Sequence, residues 1–284
     1  MKKQLLALLC ASLTLLGALN AAGCQQKEEK TTSVTTTSPL PDSTKVTSVY
    51  DEAFTYDVYK SYAEITSYIG AGAIVNIPAE VEGVPVASIG REAFAGNTTI
   101  TTVILPSSVV NIGLKAFFMC SSLREISLTY IKAVGNEAFR GCALEEVQLP
   151  PILENLGKYS FAETLITEIT LPKDLVRAGD YTFAGCSRLC KVTFAEGNTT
   201  ITGRMFYNCS SLTEFEVPEQ ITTIEGYAFS SCENLTRISI SKTVTTMKEG
   251  IFYNSPNVVI VTTPGSEADR YAQKYSIPVE YVKK

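Results

Sequence analysis

The stretch Ser88-Ile89-Gly90-Arg91-Glu92-Ala93-Phe94-Ala95-Gly96-Asn97 returns in altered form as Gly179-Asp180-Tyr181-Thr182-Phe183-Ala184-Gly185-Cys186-Ser187-Arg188-Leu189. Following its phenylalanine along the chain gives Phe94, Phe117, Phe139, Phe161, Phe183, Phe206, Phe229 and Phe252, separated by 23, 22, 22, 22, 23, 23 and 23 residues. A glycine stands four residues before the first five (Gly90, Gly113, Gly135, Gly157, Gly179). A cysteine stands three residues after five of the eight (Cys120, Cys142, Cys186, Cys209, Cys232), and Asn97, Thr164 and Ser255 take that place in the others. Beyond each phenylalanine comes an apolar spacing L-x-x-I-x-L, often closed by proline, as in Ile166, Ile169, Leu171 and Pro172. That pattern is a short strand followed by a breaker.

A unit of 22 or 23 residues cannot bury its own apolar face, so neighbouring units must stack into one continuous core. The residues quoted above resemble the I-G-x-x-A-F-x-G-C-x-x-L unit of the BspA-type leucine-rich repeats. The resemblance covers about residues 52 to 284. It implies a mostly β, α+β fold: a right-handed solenoid of about eight repeats over 89–262. The segments Phe54-Thr55-Tyr56 and Ile77-Pro78-Ala79-Glu80-Val81-Glu82-Gly83-Val84-Pro85-Val86 look like that family's strand-rich N-terminal cap, taken here as 49–88. Pro264 to Ala272 with Ile277-Pro278-Val279 looks like its closing segment, 263–284. There, Ser266 before Asp269 reads as a helix N-cap. Ala268, Tyr271, Ala272 and Tyr275 are spaced along one face, and Val279 to Val282 reads as a strand. The glycine slips one place at Gly203 and Gly226 and two at Gly250. The units beginning near Gly135 and Gly157 lose one residue before the strand, which alters local curvature.

The start of the chain is an address, not part of the fold. Lys2 and Lys3 precede an apolar run from Leu5 to Leu19. About 15 residues is too short for a helix crossing a ~30 Å hydrocarbon layer, which needs ~20. Ala21-Ala22-Gly23-Cys24, followed by the polar Gln25-Gln26-Lys27-Glu28, resembles the lipobox of bacterial lipoproteins, with Ala21 where leucine is commoner. The resemblance implies cleavage of a signal peptide, 1–23, and diacylation of Cys24, which anchors the protein without spanning the bilayer. An ordinary secretory signal cut nearby is the alternative, and it too sends the chain out of the cytoplasm. Residues 24–48, rich in Thr and Ser, have almost nothing to bury and are expected to be a disordered tether.

The chain contains no histidine, which removes the commonest general base and metal ligand. Ser239-Ile240-Ser241-Lys242 matches S-x-x-K formally, but without companion motifs it carries no enzymatic argument. No phosphate-binding glycine loop is present, so neither catalysis nor a cofactor is expected. The cysteine column is expected to hold free thiols satisfying turn carbonyls. Coils ~4.8 Å apart would also admit Cys120–Cys142 or Cys186–Cys209 bridges. Cys186 and Cys190 lack the partners a zinc site requires.

Residues alternating outward along the strands include Glu125, Glu146, Gln148, Glu168, Lys191, Glu214, Glu216 and Arg237, and they form the candidate binding face. This mainly acidic face suits a basic or mixed-charge partner, though an ordinary solvated face would show the same residues. A second stripe holds Phe118, Tyr159, Tyr181, Tyr207, Tyr227 and Tyr253, readable as a grip or as core-edge packing. The net charge of −5 becomes −7 without Lys2 and Lys3, a field that disfavours nucleic acid. The resemblance implies a cell-surface, membrane-anchored module attaching to host matrix or to other surface proteins. The second reading is an accessory envelope lipoprotein that scaffolds a complex or captures a glycan or peptide.

Overall fold

The structure is a computed structural model that describes residues 44–282. The signal peptide, Cys24 and most of the tether lie outside the described residues. The tether boundary expected at residue 48 is corrected. β1 (Lys45–Tyr50) already pairs antiparallel with β2 (Phe54–Tyr59), because Val49 finds a partner in Tyr56. β2 pairs in turn with β3 (Ala63–Tyr68). β4 (Ile74–Asn76) follows, then the hairpin of β5 (Glu80–Val81) and β6 (Val84–Ile89). That hairpin turns on Glu82 and Gly83, at φ 51° and 74°, the two positive values its tight turn requires.

From here the coils contribute strands to two parallel rows. The first row begins with β4 and continues through β7 (Thr102–Ile104) and β9 (Glu125–Ile126). Further along come β12 (Glu168–Leu171) and β14 (Lys191–Phe194), then β16 (Glu214–Glu216), β18 (Arg237–Ser239) and β20 (Val259–Thr262). The second row continues from β3 and β6 through β8 (Asn111–Ile112), β10 (Ala133–Val134), β11 (Asn155–Leu156) and β13 (Arg177–Ala178). A separate group of β15 (Thr200–Ile201), β17 (Thr223–Ile224) and β19 (Thr246–Met247) completes it. Within the repeats the register steps are 22 or 23 residues, as in Thr200↔Thr223↔Thr246.

The third side of each coil is the phenylalanine corner. Its rings are buried and stack one on the next, 4.8 Å apart between Phe94 and Phe117 and 5.3 Å between Phe117 and Phe139. Burying each side chain contributes about 1.5–3 kcal/mol. The residues two before and two after the ring are left-handed in coil after coil: Glu92 and Gly96, Tyr159 and Glu163, Arg204 and Asn208. A non-glycine residue there costs about 1–2 kcal/mol. The cost is offset because the alternation turns the amides toward the next coil. Phe94 N–H donates to Ala116 C=O at 2.8 Å, and Gly96 N–H to Phe118 C=O at 2.7 Å.

The glycine column has a steric origin. A Cβ on Gly157 would stand 2.4 Å from the backbone N of Asn136, and one on Gly179 2.4 Å from that of Lys158. At Gly203 the nearest atom would be the Asp180 side chain at 3.3 Å, so that slipped position no longer requires glycine, whereas Gly250 has φ 68° and a Cβ there would stand 2.5 Å from the Tyr227 ring.

The ends are closed as expected. Helix α1 (Glu267–Tyr275) starts at Ser266, whose hydroxyl accepts from Asp269 N–H at 3.1 Å. Ala268, Tyr271 and Ala272 are buried. Tyr275 is 39% exposed and leans on Tyr271 instead of joining the core. β21 (Val279–Tyr281) pairs with β20.

Candidate functional site

On the first row the coil after β9 is one residue shorter before its strand. Cys142-Ala143-Leu144 stands where the coil before has Cys120-Ser121-Ser122-Leu123. Residues 144–149 form no full strand, whereas the next coil, equally short at Thr164-Leu165-Ile166, forms β12. Residues 144–149 make a single parallel bridge, Glu146↔Glu168, and leave β9 unpaired on that side. An open groove of about 710 Å³ lies over this interruption, lined by Thr102, Ile104, Glu125, Ser127, Glu145, Glu146 and Gln148 among others. A second recess of about 580 Å³ shares Glu145, Glu146 and Gln148 and runs on to Glu168 and Thr170.

All eight residues of the candidate face point outward, seven exposed and Arg237 half-buried. The groove and recess bring four of them together: Glu125, Glu146, Gln148 and Glu168. Lys191, Glu214, Glu216 and Arg237 lie further along the row. Some of the charge is neutralised within the molecule. Glu168 pairs with Lys191 at 3.0 Å, Glu145 with Arg188 at 3.0 Å, and Arg237 with Glu280 of β21. That last contact holds the Glu280 carboxyl below the usual carboxylate range, chiefly through the hydrogen bond from Arg237. Among the described residues no cation lies within ion-pair distance of Glu125, Glu146, Glu214 or Glu216. Glu125 accepts from Thr102 Oγ1, at 3.3 Å. Sequence reasoning missed Glu145, Thr102 and Ile104, the last 51% exposed in the groove wall. The deletion in Cys142-Ala143-Leu144 marks this coil as irregular but does not by itself place them, since the next coil carries the same deletion.

The aromatic stripe is a packed ladder. Tyr159 stacks on Tyr181 at 4.3 Å, and Arg140 lies 5.3 Å from the Tyr159 ring. Arg204 sits between Tyr181 and Tyr227, 5.3 and 4.4 Å from their centroids. The faces of Tyr159, Tyr181 and Tyr227 are thus already occupied by cations of the same chain. Tyr253 is 61% exposed at the end of the row. Phe118 is covered by Lys115.

All six described cysteines are unbridged. Cys120 Sγ donates to Phe94 C=O and Cys142 Sγ to Phe117 C=O, both at 3.1 Å. Cys186, Cys209 and Cys232 repeat the contact at Phe161, Phe183 and Phe206. Ser255 does the same to Phe229 at 2.8 Å. Burial pushes the thiols up, to about 11 for Cys120 and Cys186 and about 12 for Cys232. They are protonated donors, not nucleophiles. Cys190 alone of the six is exposed. Among the described residues, no group of three or more His, Cys, Asp or Glu side chains is placed to hold a metal ion.

Comparison with known proteins accords with this geometry. The family model described as the BspA-type leucine-rich repeat region matches six copies, over residues 87–176 and 154–276. No curated protein sequence matches the chain significantly. Among solved structures, the chain is similar to a leucine-rich repeat protein from Bacteroides ovatus (23% identity, 82% of this chain and 76% of that one, TM-score 0.61). It is also similar to the leucine-rich repeat protein of T. pallidum (22% identity, 84% and 100%, TM-score 0.54). A third likeness is to a leucine-rich repeat protein from Eubacterium ventriosum (21% identity, 75% and 64%, TM-score 0.54). At these identities the likeness is one of fold.

Proposed function

Because the chain belongs to the BspA-type leucine-rich repeat family, whose repeats form protein-interaction modules, we propose that it binds a basic or mixed-charge protein through the first-row face, without catalysis. The observation that carries this reading is the groove over the short coil. It joins Glu125 and Glu146, both without a cation of their own, to the exposed Ile104. Unpaired acids beside apolar surface suit a partner offering Lys or Arg with an apolar neighbour. The same charges speed encounter with a basic partner.

The module works at the cell surface, held to the bacterial membrane by lipid on Cys24, and its partner is a host matrix protein or a protein of another cell surface. Two features support this reading: the small residues before Cys24 and the Thr/Ser-rich segment that follows it.

Capture from matrix extracts tests it, comparing the wild-type chain with one carrying Glu125, Glu146, Glu168, Glu214 and Glu216 as Gln. Loss of a salt-sensitive partner in the variant is the expected result, with the protein digested by protease added to intact cells. Capture that survives the five substitutions would move binding off this face. Protection from protease on intact cells would favour the envelope-scaffold role instead.

A further inference from the structure

Coils of this solenoid are joined on three sides: two strand rows and the phenylalanine corner. At one place both rows stop. β13 does not pair with β15, and β14 does not pair with β16, although β15 pairs onward with β17 and β16 with β18. Everything to residue 194 thus belongs to one stack and everything from residue 200 to another. The chain crosses between them once, through Ala195-Glu196-Gly197-Asn198-Thr199.

Gly197 in this crossing has φ 99°, a conformation that side-chain-bearing residues avoid, and a Cβ there would stand 2.8 Å from Lys173 C=O. One coil further on, the equivalent interface is closed. Thr222 and Thr223 N–H both donate to Thr199 C=O, and Glu225 N–H to Ile201 C=O. Across the open interface the corner persists. Tyr181 N–H reaches Gly203 C=O at 3.0 Å, Phe183 N–H reaches Met205 C=O at 3.1 Å, and Gly185 N–H reaches Tyr207 C=O at 2.7 Å. Side chains supply the remaining ties, among them Gln220 Nε2 to Phe194 C=O at 3.1 Å. The glycine column, which forces the closest backbone approach, also ends here, at Gly179.

We infer that this interface is a built-in flexion point, at which the two stacks turn relative to each other about the phenylalanine corner while the crossing segment absorbs the change. A solenoid's stability is a sum of nearest-neighbour interfaces. An interface that has lost two of its three hydrogen-bonded sides is therefore the one that opens first. The hinge divides the outward face between Lys191 and Glu214. The two acidic segments then meet a partner at an adjustable angle, and the flexion itself does not depend on what that partner is.

Two matched comparisons test it in the full chain. In the first, Cys10, Cys24 and Cys190 are replaced by Ser, and spin labels are placed at Lys173→Cys with Lys242→Cys. These sites lie three coils apart and straddle the interface. Ser107→Cys with Lys173→Cys spans three coils within the first stack. The straddling pair is expected to give a distance distribution at least twice as wide. Equal widths would overturn the proposal. In the second, the unmodified chain is treated with a protease that cuts after Glu. Cleavage at the exposed Glu196 is expected at least tenfold sooner than at its exposed counterpart one coil on, Glu219. Equal rates would overturn it as well.

Discussion

At the scale of single residues, the tight column of glycines and the slipped Gly203 make opposite forecasts for the same substitution. In Gly157→Ala the new methyl meets the backbone of Gly135 and Asn136 at 2.4 Å, and no side chain can swing aside to admit it. The coils must separate locally, at a cost of about 1–3 kcal/mol or more. In Gly203→Ala the nearest atom is the Asp180 carboxylate oxygen at 3.3 Å, on a side chain able to move. That change is expected within about 0.5 kcal/mol of neutral. Urea titration of the two variants measures both, and equal losses would refute the steric origin of the column. The Gly–Phe spacing was plain in the sequence. The left-handed backbone at Tyr159, Tyr181 and Arg204 was not, because these residue types carry no turn signal. They tolerate the conformation only because the next coil accepts their amides.

At the scale of the element, the thiol column links burial to pH. Each thiol is raised mainly because burial disfavours its thiolate. In the unfolded chain these groups ionise near pH 9, so below that both states hold the proton and the column carries no penalty. Above it the unfolded state loses protons that the folded state keeps, so stability falls as pH climbs toward about 11 and 12. Thermal melts between pH 8 and 11 should show a decline beginning near 9 that is weakened in Cys120→Ser and Cys186→Ser. Alkylation of the native chain at pH 8 should mark Cys190 and leave the other five described thiols untouched, whereas labelling of Cys209 would contradict its burial. The column was legible because five cysteines share one register. The groove was not, because it depends on how residues 144–149 fail to pair, and a one-residue deletion does not say which strand edge it will open.

For the molecule as a whole, stacking order decides what each end must do. The spacing lengthens from 22 to 23 residues at Phe183 and the glycine slips at Gly203, but a one-residue change does not say that both strand rows stop there. Pairing is a relation between coils, and sequence periodicity reports only the coils. The closing segment was readable because it must cover a surface of known composition. Without a cap the last corner would expose Ile251 and Phe252, with the edge of β20 unpaired alongside, and α1 buries Ala268, Tyr271 and Ala272 at that end. The Tyr271 hydroxyl also accepts Ile251 N–H at 2.9 Å, and its ring meets Phe252 edge-on at 6.1 Å. β21 covers the strand edge through Ile260↔Val279 and Val261↔Glu280. Deleting residues 264–284 removes the buried Tyr271 and uncovers Ile251 and Phe252, large apolar side chains whose burial is worth about 1.5–3 kcal/mol each, and leaves a strand edge open to pairing. At about 2–4 °C per kcal/mol for a chain of this size, the melting temperature should fall by roughly 10 °C or more. The truncated chain should also associate as its concentration rises, which light scattering during gel filtration would detect. A truncated chain that stayed monomeric with an unchanged melt would mean that the last coil needs no cover, and the capping role assigned to α1 and β21 would have to be withdrawn.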